Sequence, residues 1–278
     1  MVAAINNSTG VLAALKALQS ANQDLSTAEA RTSSTLKVAT ARDNPIAYQG
    51  SAVMNGEVSS LKAVSLSLGR AQSVSDVAIA AGSQISDLLI QMKATATSAM
   101  GADLSSDQRE AFNLQFQQQR STLINFVQNA SFDNANVLNG SKPNGVSFVA
   151  DADATQTLSL KGRDFLPGGP VVTISTQDDL SSPDAAQHAF EKISASIANV
   201  SSQLAEMGQE SKRIEAQTGF VSKLSDALTG GVGRLVDADL AGDSALIQAL
   251  QVKQSLSAQA ISIANNAPQS LLALFRPS

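Results

Sequence analysis

The residues able to do chemistry are few, and none of them stands in a catalytic arrangement. His188 is the one histidine of the chain, and there is no cysteine. An imidazole becomes a metal ligand or a general base only beside a second ligand or an orienting group. The neighbours of His188 are Ala186, Gln187 and Ala189, which supply neither, so a surface histidine is expected. Two acidic pairs, Asp151/Asp153 and Asp237/Asp239, share a DxD spacing. A calcium loop asks for glycine at its sixth position and glutamate at its twelfth. Counted from Asp151, those positions hold Gln156 and Gly162, which leaves the aspartates as turn and cap residues. The run Gly230-Gly231-Val232-Gly233 follows a helical pattern rather than a strand and lacks the Lys-Ser/Thr of a phosphate loop, so a helix stop and hinge is expected there. No serine sits in a GxSxG elbow, and a single histidine leaves a Ser/His/Asp triad hard to build. The residues therefore predict no catalytic, cofactor or metal site and no enzyme.

The elements that would carry such residues tell more. The chain has 278 residues, 43% apolar but only 4% aromatic and 15% charged, with a formal charge of -5. Phosphate neutralisation needs clustered basic residues, and no window supplies them, so no nucleic-acid partner is expected. No stretch approaches the ~18 uninterrupted apolar residues of a membrane span. The opening residues have no basic segment ahead of an apolar core, so a cleavable signal is not expected.

From Leu61 alternating steps of three and four pick out Val64, Leu68, Ala71, Ser75, Ala78, Gly82, Ile85, Leu89, Met92 and Ala96. This is a seam of small and medium side chains sustained for about five heptads. A second seam runs through Phe112, Phe116, Gln119, Leu123, Phe126 and Ala130. A third runs from Phe190 through Ile193, Ile197, Val200, Leu204, Met207, Ser211, Ile214 and Val221 to Leu228. Such stripes cannot bury themselves singly and should pack lengthwise. Ser105 followed by Gln108 reads as a capping box, and Ser182-Pro183 as an N-cap with proline at the first helical position. Gly101 separates the first two helices, and Asn139-Gly140 is read as closing the second.

Between about 140 and 180 the period changes to two. The runs 146–149, 157–160 and 171–174 are short and β-branched, and Gly- or Pro-rich turns separate them. A small β insert is expected, a hairpin with an extra strand. Both ends return to three-four spacing: Val11, Leu15, Leu18, Asn22, Leu25, Glu29 and Thr32 near the start, and Leu246, Ala249, Lys253, Leu256, Ala260 and Ile263 near the end. Either helix alone would leave its stripe in water, so the ends should pair with each other or with neighbouring subunits. The fold class is thus mainly α: a long antiparallel helical rod or coiled-coil bundle with paired N- and C-terminal helices and a small β insert.

Specific motifs join this pattern. Residues Arg31–Asn44, RTSSTLKVATARDN, resemble the flagellin pattern R-L-S-S-G-L-[RK]-[IV]-x-[ST]-A-[KR]-D-[DN], and Ala3–Ser8 resembles the flagellin start. Gln118-Gln119-Arg120 and Ser131–Leu138 are similar to the family's Q-x-R helix and F-N-G-x-x-L ending, with Asp133-Asn134-Ala135 at the usual Asn-Gly region. Asp237-Ala238-Asp239, Gln259–Asn265 and Pro268–Phe275 resemble the terminal D-A-D, A-x-A-N and P-Q-x-[LV]-L-x-L-[LF] signatures. Thr32 and Thr35 depart from the pattern, which has Leu and Gly there.

The resemblance implies a short bacterial flagellin of the alphaproteobacterial kind, exported without a cleaved signal by the flagellar type III apparatus and polymerised outside the cell as a helical filament. By analogy, residues 1–43 and 236–278 form the inner coiled-coil domain, and residues 44–235 the rod domain with the β insert at about 140–180. The implied partners are copies of the chain itself, mixed with paralogous flagellins, together with the export apparatus, hook-associated and cap proteins and an export chaperone. No cofactor and no membrane insertion are implied. Open filaments need apolar stripes that only neighbours bury. This assigns assembly to Val11, Leu15, Leu18 and Leu25 with Leu246, Leu256, Ile263, Leu271, Leu272 and Phe275. A hook-filament junction protein would share the terminal helices, and a cytoplasmic coiled-coil scaffold would share the heptads. The Pro268-Gln269 signature and the short insert favour the filament subunit over the first, and the terminal motifs favour it over the second.

Overall fold

A computed structural model describes the backbone of residues 9–274 and the side chains of residues 10–263. Five helices and one hairpin follow in chain order: α1 (Thr9–Ser34), α2 (Pro45–Ala99), α3 (Ser106–Asn129), β1 (Val146–Val149), β2 (Thr157–Leu160), α4 (Pro183–Val236) and α5 (Leu240–Leu274). The chain forms two compact units, Glu57–Asp226 and Met1–Gly56 with Ala227–Ser278.

The first of these units is built on the predicted seams. Leu61, Val64, Leu68, Ala71, Ser75, Ala78, Ile85, Leu89, Met92 and Ala96 of α2 are all buried. Opposite them lie Ile193, Val200, Met207 and Ile214 of α4, and Phe116, Leu123 and Val127 of α3 close the core. Helices α2 and α4 run antiparallel. The Gln72 Nε2 donates to Ser211 Oγ at 2.9 Å, a Cβ added to Gly82 would come within 2.8 Å of Leu204, and the Lys93 ammonium sits 4.8 Å from the centre of the Phe190 ring. Small residues at Ala71, Ala78 and Gly82 let two backbones approach while large residues interdigitate around them, as close packing requires.

Caps close these helices where the sequence places them. Ser105 and Gln108 form the reciprocal capping box of α3. The Ser182 hydroxyl accepts from the Ala185 N–H at the start of α4. Arg109 covers the end of α2, donating to the carbonyls of Ala99 at 2.6 Å and Gly101 at 3.0 Å. Helix α3 ends at Asn129, ten residues before Asn139, so Asn139-Gly140 does not close it. Its last carbonyls are met by the buried Asn136, whose Nδ2 donates to Val127 O while its Oδ1 accepts from the N–H groups of Leu138 and Asn139. A tight turn at Phe132–Ala135 aims that side chain, with Asp133 (φ 48) and Asn134 (φ 62) both left-handed. Asp and Asn tolerate that conformation better than most residues.

The insert is a two-stranded hairpin in which Val146 faces Leu160 and Val149 faces Thr157. Asp151 organises its tip by accepting from the Thr155 hydroxyl and the Gln156 N–H, the turn role expected of it. The third expected strand, 171–174, is not a strand. Val171, Val172 and Ile174 are buried, but the segment is tied to α4 by side chains rather than to the hairpin by a ladder: Thr173 N–H donates to Ser196 Oγ and its hydroxyl to Lys192 O. A short apolar β-branched run reads the same whether a sheet or a helix face covers it. Farther along, the Arg120 guanidinium donates to the carbonyls of Ser175 and Asp178, and Lys192 donates to the Asp178 carboxylate at 2.6 Å. Burial alone would raise the Asp178 pKa. The hydrogen bonds from Lys192 and the Ser175 N–H, with the Lys192 charge, outweigh it and hold the carboxyl below its ordinary range.

In the other unit α1 and α5 pair along their length, antiparallel, with Asn22 Oδ1 accepting from Gln254 Nε2 at 2.8 Å and Leu36 bridging Asp237. The first turns of α2 meet the last turns of α4, where Gly231 lies against Met54 and Gly50 against Leu235. Helix α4 continues through Gly230, Gly231 and Gly233 to Val236, so the glycines neither stop nor break it. Each glycine costs about 1 kcal/mol relative to alanine in a helix interior, and packing against α2 overrides that preference. Asp239 then caps α5, its Oδ1 accepting from the Gly242 N–H.

Helix α1 stops at Thr35, whose φ of 60 is the left-handed conformation that glycine adopts freely and a β-branched residue resists. The turn is held because Thr35 O accepts from Ala238 N–H while the N–H groups of Lys37 and Val38 donate to Val236 O. Thr35→Gly, which places the flagellin-pattern residue there, is expected to stabilise this unit by about 0.5–1 kcal/mol, strain relief outweighing the greater freedom of glycine in the unfolded chain. Denaturant unfolding followed by circular dichroism measures it, with Thr35→Ala, which keeps the strain, showing no gain.

Candidate assembly surface

Among the described residues no group of acidic, histidine or cysteine residues is fit for a metal and His188 is exposed, and what stands out on the terminal helices is their apolar surfaces. Helix α5 has two of them. Toward α1 it turns Leu250 and Ser257, both buried, with the half-buried Ile247, Gln254 and Ile261. Toward solvent it turns Val252 (59% exposed), Leu256 (58%) and Ile263 (71%). At roughly 100° per residue the three exposed side chains fall within an arc of about 40°, about 160° round the helix from the pairing seam. The α1 side repeats the division on a smaller scale. Ala21 and Ala28 are buried in the pair, whereas Leu12 (67% exposed) lies about 180° from Ala21, with the exposed Leu15 one turn on.

The predicted assembly residues are thereby sorted. Leu15, Leu246, Leu256 and Ile263 are exposed; Val11, Leu18 and Leu25 are half-buried in the unit that contains the pair. Leu271 and Leu272 fall in α5, but their side chains, like Phe275, lie outside the described residues. The C-terminal seam Leu246, Ala249, Lys253, Leu256, Ala260 and Ile263 is not the one that meets α1; the pairing seam lies one residue further along at Ile247, Leu250, Gln254, Ser257 and Ile261. A one-residue error turns an α-helix by about 100°. Polar Gln254 and Ser257 in the true seam, and apolar residues on the outer face, made the outer face the better-looking stripe. Sequence reasoning also missed Leu12 and Val252, together with Ile46 and Val53, which are exposed seven residues apart on one face of α2.

A chain that uses one apolar stripe of a helix for itself and leaves the opposite stripe bare has the surface expected of the class of assembly subunits. Comparison with known proteins gives the class a family. Residues 5–143 match the bacterial flagellin N-terminal helical region, and residues 190–275 match the bacterial flagellin C-terminal helical region. Flagellin FljJ of Caulobacter vibrioides is 36% identical over 99% of both chains, and flagellin FljK of the same organism 34% identical over 98% of both. A flagellin of Brucella melitensis is 30% identical over 99% of this chain and all of its own. The crystal structure of Bacillus cereus flagellin aligns with 55% of this chain and 86% of its own at 18% identity and a TM-score of 0.47. The chain belongs to the bacterial flagellin family. It is a structural subunit of the flagellar filament, an extracellular polymer of such chains. Among the described residues no helix is long and apolar enough to cross a membrane.

Proposed function

We propose that residues 1–43 and 236–278 form the inner coiled-coil domain of the filament, lining its channel, and that residues 44–235 stand outside it with the hairpin insert outermost. In this reading the chain leaves the cell unfolded through the flagellar type III export apparatus, escorted by a chaperone. It then polymerises beneath a cap protein, on hook-associated proteins and beside paralogous flagellins. The observation that carries the reading is the bare stripe Val252, Leu256 and Ile263 on the face of α5 away from α1. Three large aliphatic side chains left in water by the monomer would each gain about 1.5–3 kcal/mol on burial by a neighbour.

The absence of cysteine makes the test clean. Single cysteines at Gln251, on the exposed part of α5, and at Asp153, at the hairpin tip, are exposed in the monomer. After elongation from sonicated filament seeds, a maleimide is expected to label Gln251→Cys at least about tenfold more slowly than before polymerisation. Asp153→Cys should keep its monomer rate. Equal labelling of both in filaments would overturn the inner placement of α5.

A further inference from the structure

We propose that unit Glu57–Asp226 carries a binding site for a neutral, polyhydroxylated ligand, a short carbohydrate, in the cleft between the insert and α4. The cleft has a volume of about 570 Å³, within the range of roughly 300–1,000 Å³ typical of small-ligand sites. Pro143 and Pro170 form its apolar edges, while Asp164, Asn199, Ser202 and Gln203 bring polar atoms into it.

Each of those side chains has one polar atom committed to the fold or none, and another left over. Asn199 Nδ2 donates to Val171 O, which leaves its Oδ1 as an acceptor. Gln203 Oε1 accepts from Arg163 Nε, which leaves its Nε2 as a donor. Asp164 Oδ1 accepts from the Leu166 N–H, and its Oδ2 lies where a Cβ on Gly140 would be only 3.1 Å away. A Cβ on Gly169 would likewise come within 3.1 Å of the carboxylate carbon, so two glycines let the backbone approach Asp164 where a side chain would crowd it. The Ser202 side chain is exposed.

The charge of the cleft selects the ligand. Arg163 lines it, but its guanidinium is held by four hydrogen bonds to Glu210, Gln203 and Lys161 O, and its side chain is only 4% exposed. No other cation is among the lining residues, and the Asp164 carboxylate repels a phosphate or carboxylate. What remains is a carboxylate and amide oxygen that accept from hydroxyls, an amide N–H and a hydroxyl that donate to them, and proline rings for the C–H faces of a sugar. A peptide would ask for deep apolar pockets or a free strand edge, and the lining provides proline rims instead. The proposal uses no part of the assembly reading, so each can fail alone.

The test uses the full-length, unpolymerised chain labelled with nitrogen-15 and titrated with glucose, galactose, N-acetylglucosamine, maltose and lactose. At least one of these sugars is expected to shift the side-chain amides of Asn199 and Gln203 and the backbone amides of Gly140 and Gly162. Asp164→Asn should weaken that binding about tenfold or more, since a hydroxyl bonded to a charged acceptor exchanges it for a neutral one. Ser202→Tyr, at an exposed helix position, should block it with the circular dichroism melt unchanged. The proposal is overturned if no sugar in the panel shifts these resonances, if the shifts persist in both variants, or if inorganic phosphate shifts them as strongly. It is equally overturned if unlabelled chain shifts them where no sugar does, which assigns the cleft to a subunit contact.

Discussion

Glu210→Ala is expected to cost unit Glu57–Asp226 about 3–5 kcal/mol, the usual loss when one partner of a buried ion pair is removed. The Arg163 and Glu210 side chains are 4% and 10% exposed, and two bonds join them, Nη2 to Oε1 at 3.0 Å and Nη1 to Oε2 at 3.2 Å. Without Glu210 the guanidinium keeps Gln203 Oε1 and the Lys161 carbonyl but no counter-charge inside the fold. Glu206 stands 3.7 Å away, half exposed, and its attraction is diluted by water, so it recovers only part of the loss. The backbone around Arg163 transmits the damage. Arg163 N–H donates to Val137 O, Gly140 N–H to Arg163 O and Phe165 N–H to Leu138 O, so Arg163 and Phe165 together tie the loop after α3 to the insert. Denaturant unfolding by circular dichroism measures the cost. Arg163→Lys should lose most of the same stability because an ammonium cannot fork across a carboxylate. Arg163→Met with Glu210→Leu should recover to within about 1–2 kcal/mol of the native chain, since an apolar pair needs no desolvation of charge. A Glu210→Ala loss below about 1 kcal/mol would show that water reaches the pair and that it holds nothing together.

That ion pair was invisible in the sequence, and the reason is physical. Arg163 and Glu210 are 47 residues apart and obey no local period. Only the fold of the insert back onto α4 makes them partners. The α2 seam was legible from Leu61 to Ala96 because a helix packed along its whole length repeats the same demand every three or four residues, and local pattern then equals tertiary fact. The caps at Ser105 and Ser182 were legible because an unmet N–H at a helix start is answered within three residues.

Legibility failed where burial came from elsewhere. Residues 171–174 carry strand composition, yet Ser196 and Lys192 of α4 receive the hydrogen bonds that a sheet would have taken. Gly230, Gly231 and Gly233 carry a stop signal that packing on α2 overrides. The position of Thr35 is the instructive case. The departure from the flagellin pattern was visible as a letter, but only the φ of 60 shows that the pattern's glycine answers a backbone requirement which this chain meets under strain. On α5 the pattern was present twice, once for each face, and amphipathicity alone cannot say which stripe belongs to the monomer.

Separating those two stripes by experiment is expected to separate folding from polymerisation. Leu256→Ser with Ile263→Ser acts on side chains that the monomer leaves 58% and 71% exposed, so the helix pair should keep its circular dichroism spectrum and melt within about 0.5 kcal/mol. Each substitution removes about 1.5–3 kcal/mol of burial against a neighbour, and every 1.4 kcal/mol is a tenfold change in an equilibrium constant. The critical concentration for elongation should therefore rise by about a thousandfold, and sonicated seeds should yield no long fibres by electron microscopy. Leu250→Ala is the converse. Leu250 is 6% exposed in the monomer, and its truncation should cost the pair itself about 2–5 kcal/mol, seen as early loss of helical signal before any polymer is formed. Deleting residues 269–278 should also abolish growth while unit Glu57–Asp226, whose core contains none of those residues, stays helical. Normal filaments from the Leu256→Ser, Ile263→Ser chain would mean that the outer stripe faces solvent or the channel lumen rather than a neighbour. A bare aliphatic stripe on α5 would then be a cost without a function. The division of α5 into a face for the subunit and a face for the filament stands or falls on that result.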